Sequence, residues 1–164
     1  MVSTLKVDKI QNPSSGTTAM TIDTSGRVTQ PAKPSFKAYK TGAWQSFGNT
    51  DHNVLPFNLT EFNIGTHYNT STYKFTAPVT GVYYFKVQML HDATNAGQVK
   101  LRKNGSDDLA FAEHGVQGET AETNVLVMLS ATDYIEAMGR VGNTNADDWY
   151  ANDNYSFFCG FLVG

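Results

Sequence analysis

The loop from Gly142 to Asn154, GNTNADDWYANDN, concentrates the side chains of this sequence that are best suited to bind a ligand. Carboxylate and amide oxygens suit Ca²⁺, although their spacing here is not that of an EF-hand. The candidate calcium ligands are Asp147, Asp148 and Asp153. Trp149 and Tyr150 add flat amphipathic rings suited to stacking on sugars or proteins. Two interpretations stay open: a ligand-binding loop, or a solvated loop whose two rings pack onto the fold.

No pattern in the sequence predicts catalysis. A nucleophile elbow, a P-loop and a dinucleotide-binding glycine fingerprint are all absent. The four histidines, which are His52, His67, His91 and His114, lie far apart and share no metal-ligand spacing. Cys159 lies in an apolar segment, which favours a buried, inert thiol over a nucleophile. We therefore expect a protein that is not an enzyme and requires no cofactor, with Ca²⁺ as the one ion its residues favour.

Composition and charge exclude several classes of partner. The formal net charge is −3 and the basic residues are scattered singly, so the sequence does not predict nucleic-acid binding. The first residues, MVSTLKVDKIQN, lack the apolar region of a signal peptide. The longest apolar run, Phe157 to Val163, is too short to span a bilayer, so we expect no membrane insertion.

From Ser35 onward the sequence reads as one short strand after another, with no sustained helical period. The clearest strand is Val82 to Leu90, in which Tyr83, Phe85, Val87 and Met89 share one face. Asn104-Gly105 is a strong signal for a tight hairpin. Many short strands with regular turns predict a sandwich, a jelly roll or a barrel.

Residues 1–33 differ from residues 34–164, which we expect to form one domain. The N-terminal pieces LKVDKI and MTIDTSGRVTQ alternate over a few residues but contain few apolar side chains. A segment of this kind cannot bury enough surface to fold alone, so it needs partner chains or a docking surface. The following Pro31-Ala-Lys-Pro34 predicts a stiff linker.

Two strands, Asn124 to Ser130 and Tyr155 to Val163, are apolar on both faces, which is unusual for a sandwich strand with one wet face. The second faces are predicted to lie against another subunit, with burial under a loop of the same chain as the alternative. The interface candidates are Tyr84, Leu126, Met128, Phe158 and Leu162.

Five blocks of this sequence, in order, are similar to those of one family. They are Pro34 to Ala38, Asn63 to Phe85, Leu101 to Gly105, Leu129 to Ile135 and Phe157 to Leu162. Together they resemble the globular head of complement component 1q, in the tumour-necrosis-factor-like (TNF-like) superfamily. The resemblance implies an all-β jelly-roll sandwich that assembles as a homotrimer and binds rather than catalyses.

The resemblance has three further consequences. Some members bind calcium, which favours Ca²⁺ at the Asp-rich loop. Members usually have glycine where Tyr73 and Thr132 stand, so the geometry of these two turns is in question. No G-X-Y repeat precedes Pro34, so the globular domain or the N-terminal segment must hold the trimer together.

The N-terminal segment, LKVDKI followed by SGTTAMTIDTSGRVTQPAKPSF, resembles the lead-in of virion structural proteins from tailed phages of marine cyanobacteria. This resemblance implies a virion protein made in the host cytoplasm and attached to other virion proteins through residues 1–33. The expected function is a fibre or spike appendage that binds a host cell-surface protein or glycan. Capsid decoration, cement or a head fibre is the alternative, and a secreted lectin-like recognition protein is a further one.

Jelly-roll topology predicts that three polar loops, 92–97, 115–122 and 142–154, lie at the end distal to the N-terminal segment. Loops positioned by a rigid scaffold are common binding sites. The receptor-contact candidates are Asp92, Asn95, Gln117, Glu119, Asn145, Trp149, Tyr150 and Asn152.

Overall fold

The computed structural model describes residues 5–42, 44–45, 51–91, 96–115, 118–141 and 149–164, which form strands and turns and contain no helix. The strands are β1 (Lys9–Gln11), β2 (Thr18–Ile22), β3 (Val28–Thr29), β4 (Ser35–Tyr39), β5 (Trp44–Gln45), β6 (Asn53–Val54), β7 (Leu59–Ile64), β8 (Tyr68–Asn69), β9 (Lys74–Thr76), β10 (Gly81–Leu90), β11 (Gly97–Lys103), β12 (Asp107–His114), β13 (Thr120–Leu129), β14 (Tyr134–Val141), β15 (Trp149–Tyr150) and β16 (Phe157–Leu162). The all-β class predicted from the sequence is confirmed.

Two large antiparallel sheets make up the sandwich. The five-stranded sheet has the order β13-β10-β16-β4-β7, and the six-stranded sheet has the order β12-β11-β14-β9-β8 with β6 paired to β14. Strands that are distant in sequence, such as β4 and β16, lie side by side. Two smaller sheets complete the fold: β1-β2-β3 at the N-terminus, and the pair β15-β5.

Strand β10 shows how the sequence pattern determines the inner face. Tyr83, Phe85, Val87 and Met89 are fully buried, whereas the side chains between them are only half-buried. This alternation follows from the two-residue period of a strand and confirms the predicted faces. Each fully buried apolar side chain of this size stabilises the fold by about 1.5–3 kcal/mol.

Aromatic rings from both sheets interlock at the centre of the core. The Phe36 ring stacks on Tyr68 and Phe75, with centroid distances of 4.8 and 5.1 Å, and meets the edge of Phe158 at 4.9 Å. Phe36 and Phe158 belong to the five-stranded sheet, while Tyr68 and Phe75 belong to the six-stranded sheet. Such ring pairs each contribute about 0.5–1.5 kcal/mol beyond the area they bury. The cluster therefore holds the two sheets together.

The turns include one that the sequence predicted and two that are strained. Asn104 and Gly105 have φ values of 50° and 76° between β11 and β12, which confirms the predicted tight hairpin. Tyr73 and Thr132 have φ values of 61° and 76°, in the left-handed region. These are the two positions where the resemblance led us to expect glycine. A non-glycine residue in this region costs about 1–2 kcal/mol.

Asp133 holds the turn that contains Thr132. Its carboxylate accepts hydrogen bonds from Lys103 Nζ at 2.8 Å, Asn104 Nδ2 at 2.8 Å and the Ser130 amide at 2.9 Å. Donation by Lys103, Asn104 and Ser130, in that order of importance, lowers the pKa of the Asp133 carboxyl to about 2. The turn is thus tied to the end of β11, and this connection compensates for the left-handed backbone at Thr132.

Replacing Thr132 by glycine should stabilise the protein. We expect Thr132→Gly to raise the free energy of unfolding by about 0.5–1 kcal/mol, because relief of the left-handed backbone exceeds the entropy that glycine adds to the unfolded chain. Denaturant unfolding at fixed protein concentration measures this change. The control is Ala131→Gly, at a neighbouring position with no positive φ, which should lower stability. A lower stability for Thr132→Gly would contradict the prediction.

Candidate functional site

The strand register defines two ends of the sandwich. At one end, which we call the base, the first residue of β4 pairs with the end of β16, as Ser35 with Phe161. Lys33 Nζ donates a hydrogen bond to the Val163 carbonyl oxygen at 2.9 Å, so the N-terminal segment joins the fold there. At the opposite, distal end, Leu90 pairs with Thr120 and Tyr39 with Phe157.

The described parts of the predicted receptor-contact loops lie at this distal end. Glu119 is exposed and accepts a hydrogen bond from His114 Nε2 at 2.9 Å. Tyr150 and Asn152 are half-buried. Six predicted residues lie outside the described residues: Asp92, Asn95, Gln117, Asn145, Asp147 and Asp148. The receptor surface and the calcium site therefore stay predictions.

Asp153 is the one calcium candidate that the structure describes, and it lies half-buried in a turn. Within the described ranges, no group of three or more His, Cys, Asp or Glu side chains could hold a metal ion. A calcium site would therefore depend on Asp147 and Asp148.

The turn before β16 is built from internal hydrogen bonds. The Asn154 amide donates to Asn152 Oδ1 at 3.0 Å, and Ser156 Oγ donates to the Tyr150 carbonyl oxygen at 2.6 Å. These bonds present the exposed Tyr155 ring 5.8 Å from the ring of Tyr150. Tyr155 was not among the predicted contacts, although its place in a run of alternating aromatic residues was a usable signal.

Trp149 does not belong to the exposed surface, so its prediction as a receptor contact is wrong for this fold. Its side chain is 1% exposed and meets the Phe57 ring edge-on at a centroid distance of 5.8 Å. The alternative interpretation, in which this ring packs onto the sandwich, describes Trp149 correctly. Burial in the core stabilises the large indole ring of Trp149, even though its neighbours in sequence form a polar loop.

The outer face of the five-stranded sheet carries an unusual apolar surface. Leu126 and Met128 on β13 are 64% and 61% exposed. Tyr84 pairs with both Leu126 and Phe161 across the sheet, and its ring lies 5.4 Å from that of Phe161. We call Tyr84, Leu126, Met128 and Phe161 the apolar row. Three of these four residues were among the predicted interface candidates.

The other two interface candidates, Phe158 and Leu162, face the opposite way, and their prediction is wrong. Phe158 is fully buried among the core rings, and Leu162 packs against the same core. Phe161, which was not among the predicted interface residues, is the exposed member of β16. Because both faces of β16 are apolar, its pattern alone could not tell the inner face from the outer one.

Towards the distal end the same outer face becomes charged. Lys37 pairs with Glu61 and Lys86 with Glu122, each with an N–O distance of 2.6 Å. Both ammonium groups lie near the Phe157 ring, at 5.5 and 5.8 Å from its centroid. The outer face is therefore apolar near the base and charged towards the distal end.

Cys159 lies between the two lysines, since it pairs with Lys37 on one side and Lys86 on the other. Its side chain is half-buried on the outer face. Burial raises the pKa of the thiol, and the two lysines only partly oppose this shift. A raised thiol pKa disfavours a nucleophilic role at neutral pH.

Two open cavities lie at the base among the described residues. One, of about 510 Å³, lies between the N-terminal segment and the sandwich, with His67, Val79 and Leu162 in its wall. Desolvation lowers the pKa of His67. The second, of about 440 Å³, has Val28 on one side and Ile64 and Phe161 on the other. No helix long and apolar enough to cross a membrane occurs in the part of the chain that the structure describes.

The two sheets, their topology and the exposed sheet face define a jelly-roll protein of the TNF-like type. The family model of the C1q domain matches residues 36–163, and the chain belongs to this family. The predicted jelly-roll class is confirmed. Members of the family are non-enzymatic binding proteins, and folds of this type form homotrimers, so a homotrimer fits.

Individual relatives agree with this assignment. Complement C1q tumor necrosis factor-related protein 3 of Homo sapiens is 30% identical over 122 residues, which cover 71% of this chain and 47% of that protein. The chain therefore spans about half the length of this curated relative. Because the family match begins at residue 36, the resemblance of the N-terminal segment to virion proteins stays a prediction.

Two solved structures show the same fold at low identity. The globular domain of zebrafish complement 1qA protein has a TM-score of 0.64 at 16% identity and covers 80% of this chain and 98% of its own. Murine APRIL, in a crystal structure at pH 5.0, has a TM-score of 0.61 at 13% identity, with coverage of 80% and 99%.

The burial of Trp149 predicts a structural role that can be measured. Trp149→Ala should lower the free energy of unfolding by about 3–5 kcal/mol, because it leaves a cavity beside Phe57. Tyr155→Ala is the control: this exposed aromatic residue lies in the same turn region, and its loss should change stability by less than about 1 kcal/mol. Thermal or denaturant unfolding compares the two variants. Equal losses would contradict the assignment of Trp149 to the core.

Proposed function

We propose that this chain forms a homotrimeric, non-enzymatic binding protein of a tailed cyanophage virion, as a fibre or spike appendage that contacts the host surface. The trimer is inferred from the apolar row on the outer face of the five-stranded sheet. Monomeric proteins rarely expose a contiguous apolar surface of this kind, and such surfaces usually mark an interface. Family membership supports the same arrangement.

The apolar row suits a symmetric contact between copies. Leu126 and Met128 project from the middle and end of a ten-residue strand, where their backbone is fixed by pairing with β10. A backbone already fixed in the sheet loses no further freedom when the contact forms, so the entropy cost is confined to the side chains themselves. Around a three-fold axis, each subunit would present this row to the next.

The two ends of the sandwich suit different tasks. The N-terminal segment meets the base, which suits attachment to other virion proteins. Tyr150, Asn152 and Tyr155 lie at the distal end, where ring faces and amide groups suit a host glycan or protein. Three weak sites on one trimer, and many trimers on one particle, would give strong multivalent binding.

A second candidate function is a recognition protein of a cellular organism. The relative described above is a human protein, which favours this candidate, whereas the N-terminal resemblance favours the virion. Detection of the chain in purified phage particles would support the virion role, and its absence from them would overturn it. Antibody labelling of those particles would separate a tail appendage from capsid decoration.

A charged side chain placed in the apolar row should break up the proposed trimer. Leu126→Asp should convert a trimer of 54 kDa, from three chains of 18.0 kDa, into monomers, because a carboxylate cannot be buried unpaired in the interface. Light scattering measures the mass. Phe111→Asp is the matched control, since Phe111 is 54% exposed on the outer face of the other sheet. Monomers from both variants, or from neither, would contradict this interface.

Host contact by the distal tyrosines is tested by adsorption. Replacing Tyr150 and Tyr155 together by alanine should reduce adsorption of the protein to host cells by roughly tenfold or more, because each lost stacking contact is multiplied over three subunits. The variant should keep its 54 kDa mass, which follows from three chains of 18.0 kDa. Val79→Ala, at an exposed residue near the base, is the control. Unchanged adsorption of the double variant would count against a distal receptor surface.

A further inference from the structure

The N-terminal sheet is folded, but none of its side chains is fully buried. Its hairpins are held by local bonds, such as Asn12 N to Thr17 O at 2.9 Å and Asp23 N to Arg27 O at 3.0 Å. No residue from 5 to 32 is buried, although the sheet has three strands. Small sheets without a covered apolar face are only marginally stable in water. Met20 and Ile22 are half-buried and Ile10 and Val28 are exposed, so the described residues cover this sheet only in part.

One face of this sheet is apolar, as the strand register shows. Ile10 pairs with Met20, and Ile22 pairs with Val28. Because directly paired residues, and residues two apart on one strand, share a face, these four side chains lie together. Lys9 pairs with Thr21, and Thr21 pairs with Thr29, so these three side chains lie on the opposite face. Ile10 and Val28 are 48% and 54% exposed.

The apolar face of the N-terminal sheet and the apolar row meet at one open cavity. Val28 lies on one side of the open cavity of about 440 Å³, and Ile64 and Phe161 lie on the other. All three are exposed in a single chain. A subunit that covers Phe161 in the trimer would therefore also reach the face that contains Val28.

We propose that the apolar face of the N-terminal sheet, formed by Ile10, Met20, Ile22 and Val28, packs against a second copy of this chain. This inference rests on the proposed trimer and extends its interface from the jelly roll into residues 9–29. The polar face with Lys9, Thr21 and Thr29 then remains available for a different virion protein. The N-terminal segment thus acts as a second trimerisation element as well as an attachment point.

Hydrogen exchange of the full-length protein tests this assignment. The apolar-face variant is Ile10→Asp with Val28→Asp, and the matched control is Lys9→Asp with Thr29→Asp, on the same strands but the opposite face. The backbone amides of residues 9–29 should exchange roughly tenfold faster or more in the apolar-face variant, because the covering subunit is lost. The control should exchange like the original protein.

The mass of the original protein shows which of two proposals fails: the trimer itself, or only the packing of the N-terminal sheet within it. A mass of 18.0 kDa would overturn the proposed trimer and this inference with it. A trimer whose residues 9–29 exchange equally fast in both variants would overturn this inference alone. Slow exchange of these residues only within purified virions would also overturn it, since another virion protein would then cover the face.

Discussion

The fit of the Phe85 ring against Gly160 is the constraint on which the arrangement of both sheet faces depends. A Cβ atom at position 160 would stand 2.3 Å from Phe85 Cδ1, far inside any possible contact. Only glycine allows β16 to lie beside β10 while the Phe85 ring enters the core. Phe85 then lies 5.3 Å from Phe75 of the other sheet, and the interlocked cluster around Phe36 joins the two layers. The close contact between Phe85 and Gly160 on neighbouring strands thus fixes how the core packs.

The orientation of β16 follows from this contact and decides which side chains lie on the outer face. With Phe158 and Gly160 turned inwards, the two-residue period places Phe161 on the outer face beside Tyr84. A shift of one residue would bury Phe161 and expose Phe158, and the apolar row would lose its partner on β16. The same orientation leaves Cys159 between two lysines on the outer face. This face is apolar near the base and carries ion pairs towards the distal end. In the proposed trimer, burial near the base would supply most of the interface energy, while the ion pairs would favour one alignment of the subunits.

At the distal end, the feature of interest is how the turn before β16 is held in place. Ser156 is buried and links the Tyr150 carbonyl to the Leu90 amide, so the sandwich holds the turn before β16 in addition to the turn's own hydrogen bonds. Trp149 supports this turn from inside the core, whereas Tyr155 stands outside it. The buried Trp149 ring therefore holds in place the turn that displays Tyr155, as the proposed host-contact surface requires. Rigid display limits the entropy lost on binding.

The sequence alone determined the strand-by-strand architecture, because alternation along β10 and the Asn104-Gly105 turn are local properties that need no partner. It also marked Leu126, Met128 and Tyr84, since an apolar side chain between core residues on a regular strand must point outwards. It could not orient β16, in which both faces are apolar, and it placed Phe158 and Leu162 on the wrong side. Nor could it tell that Trp149 leaves its polar loop for the core, beside Phe57, a residue 92 positions earlier in the chain. Those choices belong to the tertiary structure, because they depend on which distant side chains leave room for a ring and which already fill the space.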